Sequence, residues 1–408
     1  MAIDAGALAD LYRTLHSDPE LSRQEHATAE RVIAALDGSG AEITAGVGGT
    51  GVVAVLRNGD GPVVMLRADM DALPVRENTG LPYASTKTVT DAAGRQVPVA
   101  HACGHDMHTA ALVGAVYALA ATRDQWRGTV LAVFQPAEEL ASGAQAMLDD
   151  GLFDRFPRPA VVIGQHVGPL PAGVLGFGTG PIMAGTDSVE VTLYGRGGHG
   201  SSPENTIDPV VMAAAVVLRL QGIVAREVPP HEQAVVTVGR LQAGTKENII
   251  PDTAELGINL RTFSEHVRDA VKAAVQRIVR AEAAASNAPR EPDFDWTVTA
   301  PVLISEPAAT EKTVAALRAH FGADKVWPLP PLSASEDVGV FGNAIGVPTV
   351  FWFWGGVDAQ TFTDAFAKGE LPPTNHAPEF APVLEPTLTT GVEALTVAAR
   401  TWLGASVR

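Results

Sequence analysis

The sequence predicts an α/β fold in which a mixed-sheet domain is interrupted by a ferredoxin-like α+β domain. Three observations predict it. At 408 residues the chain exceeds the size at which a single hydrophobic core keeps growing, so two domains are expected. Short apolar runs alternate with helical stretches, as the buried strands of an α/β sheet do. The segment 187–301 carries a β-α-β-β-α-β order that is complete in itself. The first domain is therefore placed at 1–186 with 302–408, and the inserted domain at 187–301.

The elements follow in order. Residues 1–20 carry acidic side chains and open a helix, without the basic and then apolar regions of a signal peptide. Asn58-Gly59-Asp60-Gly61, between two apolar runs, has the composition of a hairpin turn. Val63-Val64-Met65-Leu66 leads into Arg67-Ala68-Asp69-Met70-Asp71, and Val130-Leu131-Ala132-Val133-Phe134 leads into Glu138 and Glu139. Ala160-Val161-Val162-Ile163 leads into His166, and Val350-Phe351-Trp352-Phe353-Trp354 ends in Gly355-Gly356. Helices are expected over 110–122 and 141–149. In the inserted domain the strands fall at 188–194, 234–241, 253–261 and 294–298, with helices at 208–225 and 265–284. A loop covers 285–292, a helix 310–320, and a closing helix 384–403. Ligands of open α/β sheets gather beyond the carboxyl ends of the strands, where these polar residues lie.

Composition excludes several classes of function. Apolar residues make up 46% and charged ones 18%, which suits a globular protein. A net charge of −17 argues against nucleic acid and against anionic membranes, since both need clustered Lys and Arg. The single cysteine forms no internal disulfide, so stability needs no oxidising compartment. No run of apolar residues is expected to be long enough to span a bilayer; 110–121 is too short and too rich in Ala. A cytoplasmic protein without membrane or nucleic-acid partner is expected.

The chemistry concentrates in His101-Ala102-Cys103-Gly104-His105-Asp106-Met107-His108. Thiolate and imidazole are preferred ligands of zinc and similar divalent ions, and Gly104 lets the backbone bend so that both side chains face one point. A lone cysteine also reads as a small buried hydrophobe, or as a nucleophile activated by histidine. Glu138 and Glu139 repel one another unless each has a separate task. One can bind metal while the other takes a proton from a water activated by the ions. His166 and His376 complete the set, and the whole points to a metallohydrolase. Asp69 and Asp71 lie two residues apart and share a face in an extended strand, from which one can orient a ligating histidine. The Gly195–Pro203 run is glycine-rich but lacks the lysine of a nucleotide loop, and it carries His199 on a flexible turn. His16, His26, His231, His266 and His320 read as structural or surface residues.

Taken together, Leu15 to Ser22, Leu66 to Pro74, His101 to His108, Gln135 to Glu139, Gly197 to Pro203, Asn248 to Asp252, Ser335-Glu336-Asp337 and Asn375-His376 resemble the aminoacylase and carboxypeptidase-G family of dinuclear metallohydrolases. The nearest branch is similar to the hippurate hydrolases, auxin-conjugate amidohydrolases and bacterial N-acyl-amino-acid amidohydrolases. The resemblance implies a metallohydrolase catalytic domain with an inserted dimerisation (lid) domain and two divalent metal ions per subunit, zinc or manganese, cobalt or nickel. Cys103 would bridge the two ions, with His105, Glu139, His166 and His376 completing the coordination. Glu138 would be the general base, and Asp71 would stand behind the ligands. His199 of a partner subunit would stabilise the oxyanion, while Asn248 and Arg261 would hold the substrate carboxylate. The implied substrate is an N-acyl amino acid and the implied assembly a homodimer or higher homo-oligomer; a dipeptidase or aminopeptidase is the alternative within the family. Val338-Gly339 stands where the branch commonly has Phe, the loop 87–99 is long for the branch, and the aromatic run 351–354 is expected near the acyl pocket.

Overall fold

The structure, a computed structural model, describes residues 4–91 and 94–405. The beginning of the expected N-terminal helix and two residues of the 87–99 loop thus lie outside the described residues. The chain divides into two compact units: one is the chain up to Gly180 with Ile304–Pro330 and from Asp337 onward, the other Pro181–Leu303 with Pro331–Glu336.

The first unit is built on a mixed sheet. Its strands lie in the order Glu42–Val47, Gly51–Asn58, Trp126–Gln135, Val63–Asp69, Val161–Pro171, Thr349–Val357, Leu175–Phe177 and Val326–Pro328. The middle four run parallel, and both of the first two pairings are antiparallel. Those middle strands are buried almost throughout, which is why they read as continuous apolar runs.

Asn58–Gly61 is not a hairpin turn. The strands it joins do not pair, because Trp126–Gln135 lies between them and bonds to both. The composition marks a place where the chain reverses, but it does not record that the partner of each strand is supplied from far along the sequence.

Helix His105–Ala121 is packed on nearly every side, and Thr387–Trp402 and Pro307–Phe321 complete the layers. The former starts at His105 rather than at 110, which places two histidines in its first turn. Gly104 precedes it with φ +83°, and a Cβ there would lie 2.3 Å from Val167 Cγ1. Both the left-handed backbone and the close approach require glycine. Gly104→Ala is expected to cost at least about 2 kcal/mol from strain plus overpacking, read from urea unfolding, and to weaken metal uptake in the same protein.

The second unit is a four-stranded antiparallel sheet in the order Ala234–Ala243, Thr253–Thr262, Gly185–Tyr194, Asp293–Ala300, with helices Pro209–Leu220 and Glu265–Ala285 packed on it. In chain order these elements are β-α-β-β-α-β, and the strand order 2-3-1-4 is that of a ferredoxin-like sheet. Against the expectation that no apolar run reaches membrane-spanning length, the stretch Pro209–Arg226 is long and apolar enough by composition to cross a membrane. It packs its Met212, Ala213, Val216, Leu220 and Ile223 into the core of this unit, while Val211 and Leu218 stay exposed.

Candidate metal centre

The four parallel strands of the first unit deliver their polar residues to one region. Asp69 is level with Gln135 on the neighbouring strand, and His166 is level with Phe353. Gly104 lets the chain turn there so that Cys103 and His105 approach from the start of their helix. His376 arrives on a left-handed residue of φ 71°, its N–H donating to Ala102 O at 2.7 Å. Beside it, Asn375 Nδ2 donates to Cys103 O and to Val167 O, tying the segment to both neighbouring elements.

The ligand atoms converge. Cys103 Sγ lies 3.4 Å from His166 Nε2, and His376 Nε2 lies 3.5 Å from Glu139 Oε2. His105 Nε2 stands 3.8 Å from Glu139 Oε1 and 3.9 Å from Glu138 Oε2. Donor atoms of Cys103, Glu139 and His376 fall within 4.8 Å of one another, as do those of His105, Glu138 and Glu139. The five candidate ligands are thus brought to one place, with Glu138 against them and only 9% exposed.

Hydrogen bonds settle which ring nitrogens face inward. His105 Nδ1 donates to Asp71 O at 2.9 Å and lies 3.3 Å from Asp71 Oδ1. His166 Nδ1 donates to Val167 O at 2.7 Å. A carbonyl oxygen only accepts, so each Nδ1 carries a proton and each Nε2 is the nitrogen turned to the centre, where it can offer a lone pair to a cation. Asp71 also accepts from Ser22 Oγ at 2.7 Å and from the Glu139 N–H at 3.0 Å. Burial works against its charge, yet these donors keep its pKa below the usual carboxylate range.

His105 Nε2 and Glu139 Oε1 are buried without a hydrogen-bond partner. Folded proteins rarely leave such atoms unsatisfied, and a cation between them would satisfy both. Thiol, imidazole and carboxylate together make a donor set suited to divalent transition metals, so the residues fit such ions. Burial pushes the Cys103 thiol well up, raises Glu139 to about 7 and holds His166 well below the imidazole range. Without metal the thiol and, near neutrality, the Glu139 carboxyl hold protons, so metal uptake releases protons.

Two features escaped the sequence reading. His16 is buried, with Nδ1 2.6 Å from Asp106 Oδ2 and Nε2 3.0 Å from Glu77 Oε1. Burial lowers its pKa, but the two carboxylates outweigh that and raise it to about 10. No signal near residue 16 announces partners at 77 and 106. Arg67 is fully buried and donates to Asp69 Oδ2 at 2.7 Å, Asp337 Oδ1 at 3.0 Å and Gln135 Oε1 at 2.8 Å. Its alternation with Asp69 was a legible signal that the two share a strand face.

The aromatic run is corrected in part. Phe351, Trp352 and Trp354 are fully buried in the fold, and Phe353 alone of the four is partly exposed, its ring 6.2 Å from that of His166. Period-two alternation in a strand covered on both faces leaves little of such a run for a ligand.

In the second unit, His199 is exposed on a short strand paired with Ile249–Ile250, and Gly200 N–H donates to Asn248 O at 2.9 Å. Ser201 donates through both N–H and Oγ–H to His199 Nδ1 at 3.1 and 2.8 Å. The ring proton is therefore on Nε2, which faces outward as a donor. Arg261 donates to Asn259 Oδ1 and Ser335 Oγ. Gly195 N–H bonds to Asp252 O, at one end of the strand Thr253–Thr262, whereas Arg261 is at the other. Eight residues of strand separate the ends by ~26 Å, so the His199 and Asn248 turn and Arg261 do not meet within one unit.

The family described as Peptidase family M20/M25/M40 matches residues 65–370. The chain is 39% identical over 292 residues to an N-acetylcysteine deacetylase of Bacillus subtilis, covering 71% of this chain and 73% of that protein. It is 37% identical to a hippurate hydrolase of Campylobacter jejuni, covering 82% and 85% respectively. A solved Bacillus subtilis structure described as a dinuclear metal binding peptidase of the M20 family superposes with a TM-score of 0.75 at 31% identity, covering 97% of this chain and 98% of that one.

Proposed function

This chain belongs to peptidase family M20/M25/M40, and from that membership and the site geometry we propose that it is a metal-dependent amidohydrolase cleaving N-acyl amino acids to a carboxylic acid and a free amino acid. The observation that carries the reading is the convergence of Cys103, His105, Glu139, His166 and His376 on partnerless buried atoms, with a second carboxylate, Glu138, beside them. The names of its relatives, a deacetylase of N-acetylcysteine and a hippurate hydrolase, give the substrate class.

Cys103, His105, Glu139, His166 and His376 would hold two divalent ions. Bound ions of this kind polarise a carbonyl and lower the pKa of water to about 7. Glu138 takes the proton from the attacking water and returns it to the nitrogen of the leaving amine. Asp71 fixes the His105 ring through Nδ1. His199 of the partner subunit donates Nε2–H to the oxyanion, and Asn248 and Arg261 hold the substrate carboxylate. The strand length separating Arg261 from the His199 turn supports contributions from two subunits to one substrate. The exposed edge strand Ala234–Ala243, with Val235 and Leu241, and the exposed Val211 and Leu218 support the second unit as the homodimer surface. A cytoplasmic location suits the reading, since Cys103 must stay reduced to act as a ligand.

The test is amino-acid release from N-acetyl, N-benzoyl and long-chain N-acyl amino acids and matching free dipeptides. Chelator-stripped protein is refilled with zinc, manganese, cobalt or nickel. Metal-dependent cleavage of blocked substrates supports the proposal; cleavage confined to free dipeptides makes the protein a peptidase. Arg261→Ala is expected to raise KM for blocked amino acids about 10- to 100-fold, in keeping with loss of a charge-assisted bond of ~1.5–3 kcal/mol. Substrates whose carboxylate is amidated should lose that discrimination between the two proteins.

A further inference from the structure

His108 takes no part in the scheme above, yet it is buried at the centre's edge with both ring nitrogens engaged. The Val167 N–H donates to His108 Nε2 at 2.9 Å. A backbone N–H only donates, so Nε2 is the acceptor and Nδ1 carries the proton. Nδ1 donates to Asp69 Oδ1, and the other oxygen of Asp69 accepts from Arg67 Nη1 at 2.7 Å. Asp69 is further tied by its main-chain oxygen, which accepts from Thr109 Oγ1 at 3.0 Å. A buried guanidinium, a carboxylate and an imidazole thus form one oriented chain ending on the Val167 N–H.

Val167 is also the residue that orients His166. Its carbonyl accepts from His166 Nδ1 and from Asn375 Nδ2, while its nitrogen is held by His108. The His108 ring also stands edge-on to His166, with centroids 4.5 Å apart and planes at 74°. The N–H belongs to the peptide that joins His166 to Val167 and the carbonyl to the next one, so His108 pins the main chain that carries the His166 ring while the Val167 carbonyl holds that ring's Nδ1, and a shift of the pinned peptide would move the ring off its acceptor.

We propose that His108 is a positioning residue for the metal centre, acting through its Nε2 on the Val167 N–H and so on the main chain of His166, with Arg67 and Asp69 holding its ring and tautomer. The inference rests on His166 being a metal ligand. Outer groups of this kind typically change metal affinity 10- to 100-fold when removed.

Two substitutions separate the arms of the imidazole. In His108→Gln the amide sits where Nε2 was and its oxygen can still accept from Val167. In His108→Asn the amide sits where Nδ1 was, so it can still donate to Asp69 but leaves Val167 N–H unpaired. Zinc and manganese dissociation constants of chelator-stripped full-length protein, measured calorimetrically beside metal-free Tm, give the readout. The expected result is His108→Gln within about 3-fold of the unsubstituted protein and His108→Asn weaker by at least about 10-fold, at similar metal-free Tm. Equal affinities for all three proteins, or weakening in His108→Gln alone, overturn the proposal. Should either variant fail to fold, 15N spectra of the ring-labelled unsubstituted protein decide: a His108 protonated on Nε2 overturns it, and an unprotonated Nε2 with proton on Nδ1 supports it. Failure of the unsubstituted protein to bind any divalent ion would overturn the metallohydrolase reading and this inference with it, an outcome distinct from loss confined to one variant.

Discussion

Glu138→Gln is expected to lower kcat by ~10²- to 10⁴-fold, the range of general acid–base contributions, while both metal ions stay bound. The carboxylate lies 3.9 Å from His105 Nε2, close to the ligands. The amide preserves shape and hydrogen-bonding reach but cannot accept a proton and return it to the amine. Metal content by elemental analysis and kcat on an N-acyl amino acid must be measured on the same preparation. Loss of both together would make Glu138 a ligand instead. Unchanged kcat would take Glu138 out of the reaction.

The second large effect is on stability. His16→Leu is expected to destabilise the fold by about 3–5 kcal/mol, since it leaves the side chains of Asp106 and Glu77 buried without their cation. The pH dependence has a definite sign. His16 is raised from 6.5 to about 10 in the folded protein, so its contribution is complete below pH 6.5 and is lost as pH rises through 10. Urea midpoints at several pH values from 6 to 10 should therefore show the gap between unsubstituted protein and His16→Leu narrowing as pH rises. A gap that is constant over that window, or that widens, rules out the ion triad as its source. Asp106 follows His105 directly, so the triad also anchors the first turn of the helix that carries that candidate ligand.

Much of this architecture was legible before any coordinates. The middle strands of the sheet are covered on both faces and so appear as unbroken apolar runs, while the ferredoxin-like unit declares itself by the order of its periodicities. The candidate site was legible because its residue types are otherwise improbable together: a lone Cys103 between histidines, a Glu138-Glu139 pair after a strand, a histidine in each of two distant clusters. Local sequence states such chemistry directly, since each donor is announced by its own neighbours.

Other features depend on pairings that no local pattern records. Asn58–Gly61 has hairpin composition, but the Trp126–Gln135 strand separates the two strands it connects. Three of the four aromatics at 351–354 went to the core because both faces of that strand are covered. His16 looks like any helix histidine until residues 77 and 106 close around it. The ring nitrogen that each histidine turns to the centre depends on a carbonyl or N–H reached only in the folded chain, at Asp71 for His105 and at Val167 for His166 and His108. Residue type and periodicity are properties of the chain itself; burial, protonation and tautomer are properties of neighbourhoods, and those exist only once segments distant in sequence have packed together.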